Sequence, residues 1–133
     1  MLKFKKQKII VDTSIWIEYF NNNNIVNFIE ERIMEDCLFM KGPIVTELLQ
    51  GLKTEKEYEK LKNSIDAIPY LEITLENWKE AGNISNKLRR KGITIPLTDI
   101  IISAVAISND AKVYSLDKHF EKIPGVKLFN KIK

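Results

Sequence analysis

Four carboxylates stand where they can act together: Asp12, Glu47, Asp99 and Asp117. Asp12 ends the β-branched run Ile9-Ile10-Val11, which reads as a short buried strand over Lys8 to Asp12. Asp99 precedes the stretch Ile100 to Ile107, in which Ser103 is the only polar side chain. That stretch predicts a helix that is apolar nearly all round, buried in the middle of a domain and much too short to span a bilayer. Thr98 is its expected N-cap, and Ser103, four residues on from Asp99, shares that carboxylate's face. An ionised carboxylate at the mouth of a buried helix is costly unless something positive meets it. The helix N-terminus contributes about 1 kcal/mol. An Arg, a Lys or a bound cation must supply the rest.

Asp117 follows a predicted strand over Lys112 to Ser115, and Glu47 lies in a predicted helix, Ile44 to Gln50, behind a strand over Cys37 to Met40. In open parallel sheets, ligand sites gather at the carboxyl ends of strands, so the four acids fall on one edge. They repel one another strongly unless a cation compensates them. Hard oxygen ligands with no Cys or His among them suit Mg²⁺ or Mn²⁺. Taken singly, each acid has an ordinary use. Asp12 suits a cap for the following helix, Glu47 an ion pair with Lys53 or Arg32, and Asp117 a turn. His119, the single histidine, reads as a surface or packing residue, because a metal is available to acidify water.

The remaining elements follow from periodicity and punctuation. Thr13-Ser14 opens a helix through Trp16 and Phe20, stopped by Asn21 to Asn24. A helix over Ile25 to Glu35 puts Val26, Ile29 and Ile33 on one face. Pro43 and Gly51 bracket the helix that holds Glu47. Thr54 to Glu57 fits a capping box, and Pro69 ends that helix before a strand over Tyr70 to Ile73. Thr74 caps a long helix with Leu75, Trp78, Ala81, Ser85 and Leu88 inward, and Gly92 closes it. Val126 to Phe129 is a short final strand. Strands alternating with helices, over connections too long for hairpins, imply a mainly parallel sheet covered on both faces.

A chain of 133 residues is expected to form one domain over 1–133, since no linker, repeat or low-complexity stretch divides it. With 44% hydrophobic and 29% charged residues it has the balance of a globular protein, and a net charge of +3 is compatible with a nucleic-acid partner. One cysteine, Cys37, excludes an internal disulfide and a cysteine-based zinc site, and it reads as an inert core thiol. Lys3, Lys5, Lys6 and Lys8 precede an apolar run too short for a signal peptide, so the expected location is cytoplasmic. Lys87, Arg89, Arg90 and Lys91 close the long helix, where cations suit the dipole or hold RNA phosphates.

Four segments, in order, resemble the signatures of the PIN domain: Ile10-Val11-Asp12-Thr13-Ser14, Thr46-Glu47-Leu48-Leu49-Gln50-Gly51, Pro96-Leu97-Thr98-Asp99, and Tyr114-Ser115-Leu116-Asp117-Lys118-His119-Phe120. The chain looks most like the VapC-like toxins of type II toxin–antitoxin systems, over almost its whole length. The resemblance implies a PIN-like three-layer α/β fold, with a central, mainly parallel β-sheet flanked by helices on both faces. It also implies an endoribonuclease dependent on Mg²⁺ or Mn²⁺, an RNA substrate, a cognate antitoxin and a homodimer. Asp12, Glu47, Asp99 and Asp117 would be the catalytic, metal-holding acids, and Ser14 and Ser115 the polar groups supporting them. Two alternatives stay open at this point. One is a PIN-type RNA-processing nuclease without a toxin role. The other is a non-enzymatic Mg²⁺-binding receiver-like module, for which Lys8 to Asp12 lacks the acidic pair.

Overall fold

The computed structural model describes residues 7–21, 26–35, 38–39 and 41–129. Its elements run β1 (Ile9–Val11), α1 (Thr13–Phe20), α2 (Val26–Met34), β2 (Leu38–Phe39), α3 (Gly42–Gln50), α4 (Glu55–Ala67), α5 (Leu75–Arg90), α6 (Leu97–Ser108), β3 (Lys112–Tyr114), a 3-10 helix (Lys118–Lys122) and β4 (Lys127–Leu128). The expectations for Lys3, Lys5, Lys6, Asn22 to Ile25, Cys37 and Met40 fall outside the described residues.

Four strands form one sheet in the order β2-β1-β3-β4, with every pairing parallel. Ile9 sits opposite both Leu38 and Lys112, so β1 is central. Successive strand residues face opposite sides, yet Ile9, Ile10 and Val11 are all fully buried. Helices therefore cover both faces, as an all-parallel sheet requires. Because the strands run parallel, the residues following β1 and β3 emerge at the same edge. Asp12 and Ser115 meet there.

The buried helix is α6. Ile100, Ile101, Ile102, Ala104, Val105 and Ala106 are each at most 1% exposed. Each isoleucine so buried contributes about 1.5–3 kcal/mol. Pro96, and not Thr98, is its N-cap residue. The pyrrolidine ring fixes φ at −54°, a value suited to entering a helix, so the helix starts before Thr98 and places Asp99 in its first turn. Ser103 does share the Asp99 face, but its hydroxyl donates to the Asp99 backbone carbonyl at 2.7 Å and leaves the carboxylate alone.

Two more expectations differ from the structure. Tyr70 to Ile73 is not a strand of the sheet: Tyr70 makes an isolated bridge and 71–73 are irregular. Here the Leu71 carbonyl accepts from the buried Lys41 ammonium, so a side chain satisfies what a neighbouring strand would have. Leu75 and Trp78 do not face inward but are 68% and 48% exposed. The buried stripe of α5 is Asn77, Ala81, Ile84 and Leu88. At 100° per residue, Trp78 and Leu75 stand roughly 100° and 160° away from Asn77. Trp16, in contrast, is fully buried as expected. Gly92 has φ +79° just past α5, the left-handed conformation that a side chain resists.

Candidate active site

Asp12 is pinned by its own backbone. Its N–H donates to the Tyr114 carbonyl at 2.9 Å, extending the β1–β3 ladder by one step. The carboxylate is 6% exposed and does not cap α1, although Asp12 occupies the N-cap position. Its Oδ2 instead accepts from the Ser115 hydroxyl at 2.7 Å and the Ser14 hydroxyl at 3.1 Å. The two hydroxyls lie 3.2 Å apart, and Leu116 N–H donates to the Ser14 oxygen at 3.0 Å. Ser14 and Ser115 thus both hold the same carboxylate oxygen of Asp12.

Asp99 reaches the same edge from the first turn of α6, buried to 9% exposure. Its Oδ2 lies 2.9 Å from His119 Nδ1. Asp117 caps the 3-10 helix, accepting His119 N–H at 2.9 Å through Oδ1, and that same oxygen is 3.1 Å from His119 Nδ1. Asp117 N–H in turn donates to Ser115 Oγ at 2.9 Å. Donor atoms of Asp99, Asp117 and His119 all lie within 4.8 Å of one another. The expected surface or packing role of His119 leaves out its place in the cluster. It is half-exposed, but its ring is part of the cluster. Its position two residues past Asp117 is the available sequence signal, since a capping Asp accepts the backbone N–H two residues on and so holds that residue beside its carboxylate.

Glu47, on α3, is outside the group of donor atoms within 4.8 Å, but it is near enough to Asp12 and Asp99 to feel their charges. Neither expected ion pair forms: Arg32 lies beside Glu31 and Glu35, and among the described residues Glu47 has no hydrogen-bond or ion-pair partner. Burial raises its carboxyl above the ordinary range, and the charges of Asp12 and Asp99 raise it further. Asp99 is raised by burial too, and then by the charges of Asp12 and Asp117, while the hydrogen bond from His119 pulls it down. Two carboxylates about 5 Å apart repel by roughly 3 kcal/mol at an effective dielectric of 20, more than a helix terminus returns. The arrangement favours a positive ion over the empty cluster. A donor set dominated by carboxylate oxygens fits a hard divalent cation.

Lys87, Arg89, Arg90 and Lys91 lie outside this cluster. All are exposed at the C-terminal end of α5, joined to the first turn of α6 by residues 91–96. A groove of about 390 Å³ is lined by Ile17, Phe20, Leu48 and Leu61, with Glu47, Glu57, Lys53 and Lys60 as its charged residues; of the four acids only Glu47 lines it. Among the described residues, no helix is long and apolar enough to cross a membrane.

The PIN domain family model matches residues 9–126. The chain is 29% identical over 124 residues to the VapC ribonuclease Mb1587 of Mycobacterium bovis, covering 89% of this chain and 92% of that one. Its fold is similar to VapBC2 from Rickettsia felis, solved bound to a DNA fragment from their promoter, with a TM-score of 0.81 and 19% identity over 95% of this chain and all of that one. A toxin-antitoxin complex from Klebsiella pneumoniae is similar at a TM-score of 0.69 and 20% identity, over 94% of this chain and all of that one.

Proposed function

The chain belongs to the PIN domain family, and from that we propose that it is a Mg²⁺- or Mn²⁺-dependent endoribonuclease, the toxin of a type II toxin–antitoxin pair working in the cytoplasm. The observation that carries this reading is the meeting of Asp12, Asp99 and Asp117 at one sheet edge, with Glu47 in electrostatic reach. The likeness to a named VapC ribonuclease supports the reaction class.

Asp12, Glu47, Asp99 and Asp117 would hold the cation. When bound, it neutralises a phosphodiester's non-bridging oxygens, acidifies the attacking water and stabilises the leaving oxygen. Ser14 and Ser115 fix the Asp12 carboxylate, so its lone pairs point one way. Burial of Asp12 and Asp99 puts their charges in a low-dielectric setting, where they act more strongly on a cation. Lys87, Arg89, Arg90 and Lys91 would bind RNA phosphates and set the strand's register without reading its sequence. No side-chain nucleophile is needed.

The antitoxin is the partner that the similar toxin-antitoxin complex supports. The groove is apolar along Ile17, Phe20, Leu48 and Leu61 and carries Glu47 and Glu57 together with Lys53 and Lys60. It suits a peptide that lays apolar side chains along it and aims a basic one at the carboxylates. Leu75, Trp78 and Ile107 are exposed where α5 and α6 are joined by the Asn77–Ser108 hydrogen bond, and they offer an apolar face for a homodimer.

Induction of the wild-type chain without a partner tests the proposal. Growth should arrest, and Asp12→Asn should grow normally. Harmless overexpression of a demonstrably active enzyme would favour an RNA-processing role.

A further inference from the structure

We infer that His119 is itself a ligand of the cation, through Nδ1, and that this nitrogen biases the site toward Mn²⁺ over Mg²⁺. The inference rests on the metal-dependent reading above and adds a residue to it. An octahedral cation with bonds of about 2.1 Å sets neighbouring donor atoms about 3.0 Å apart. His119 Nδ1 lies 2.9 Å from Asp99 Oδ2 and 3.1 Å from Asp117 Oδ1. Both separations would suit donor atoms that share one such cation, with the nitrogen common to the two pairs.

Hydrogen bonding alone accounts for this placement only in part. Nδ1 carries a single proton at most, so it satisfies one carboxylate fully or shares itself between two. Asp117 Oδ1 already accepts the His119 backbone N–H, and the second contact adds little to it. A cation that replaces the Nδ1 proton meets both oxygens and the nitrogen lone pair at once. The proton then belongs on Nε2, which has no hydrogen-bond partner among the described residues and sits on a half-exposed ring. The ring is firmly placed for this. Asp117 caps its turn, and the adjoining Phe120 is 1% exposed and anchors the 3-10 helix in the core.

The choice of metal follows from donor type. Mg²⁺ strongly prefers oxygen, whereas first-row ions accept imidazole increasingly from Mn²⁺ onward. An all-carboxylate site would show little of that bias.

The chain has one histidine, so any metal-bound imidazole is unambiguous. The untagged protein is loaded with one equivalent of Mn²⁺ and studied by electron spin-echo spectroscopy, with and without ¹⁵N-labelled histidine. A directly bound nitrogen whose coupling changes with the label is expected, and it should vanish in His119→Ala. Calorimetric titration should then show the Mn²⁺ affinity falling about tenfold in His119→Ala and the Mg²⁺ affinity less than threefold. His119→Asn serves the same purpose if the alanine variant fails to fold. Mn²⁺ that binds and is lost in Asp99→Asn, but shows no histidine nitrogen, would overturn the His119 assignment and leave the acidic site standing. No Mn²⁺ binding at millimolar concentration would overturn both.

Discussion

The Ser115 hydroxyl donates to Asp12 Oδ2 at 2.7 Å and accepts the Asp117 N–H at 2.9 Å, so one oxygen ties together two acids from opposite ends of the chain. Asp12 is held by this contact and by Ser14, in a site where a misplacement of about 1 Å is costly. Ser115→Ala should lower kcat/KM about tenfold or more and destabilise the fold by about 1 kcal/mol. Ser115→Thr should keep most of both. Steady-state cleavage and chemical denaturation check this, and an alanine variant with full activity would remove Ser115 from the supporting role.

Asp99→Asn should abolish cleavage yet stabilise the metal-free protein at neutral pH. Burial, then the charges of Asp12 and Asp117, hold the Asp99 carboxyl above its ordinary range. A carboxyl raised in the folded state contributes stability that is full below its unfolded value and is lost as pH rises through the folded one. At neutral pH the wild type has lost that contribution, and the amide variant never depended on it. In EDTA the variant should melt a few degrees higher at pH 7, with the gap closing toward pH 4. Excess Mn²⁺ should raise the wild-type melting temperature and leave the variant unmoved. Equal gains in both would put the ion elsewhere.

Lys41 makes a separate prediction about stability. Its side chain is fully buried, its ammonium donates to the Leu71 carbonyl, and it lies 5.6 Å from the Tyr70 ring centre. Burial lowers it from the ordinary 10.5 to about 8, against the opposing charge of Glu72. Between those values the unfolded chain keeps a proton that the folded one releases. Stability therefore rises with pH in that window, by up to about 1.4 kcal/mol per unit. Denaturation of wild type and Lys41→Met at pH 7.5 and 9.5 should show the wild type gaining about 1–2 kcal/mol relative to the variant. Tyr19 and Tyr114, both raised by burial, are common to the two proteins and cancel. A constant difference would mean that the amine is hydrated.

The main frame was legible in sequence because strong local signals and global packing agree there. Ile9 to Val11 is apolar and β-branched and lies at the centre of the sheet; Ile100 to Ala106 is apolar but for Ser103 and fills the core. The edge that gathers the acids followed from strand polarity alone. What was hidden depends on distant partners. Tyr70 to Ile73 has strand-like residues, but its carbonyl is taken by Lys41, thirty positions away. Trp78 looked like core because it is large and apolar, whereas Asn77 and Ala81 hold the buried stripe, with Asn77 bonded to Ser108 of α6. His119 escaped because its ring meets Asp99, twenty positions away in sequence, only once the sheet edge has formed.

The ends of the cleaved RNA test the hydrolytic mechanism most directly. Many ribonucleases use the RNA's own 2′-hydroxyl with His or Lys as acid and base, and leave a cyclic phosphate. Carboxylates gathered around a single histidine suit activation of an external water instead. A short single-stranded RNA cut in Mn²⁺ should yield a 5′-phosphate and a 3′-hydroxyl. A 2′-deoxy substitution at the scissile nucleotide should slow cutting only modestly, and EDTA should stop it. A 2′,3′-cyclic phosphate product, or full activity in EDTA, would contradict metal-assisted hydrolysis at Asp12, Glu47, Asp99 and Asp117.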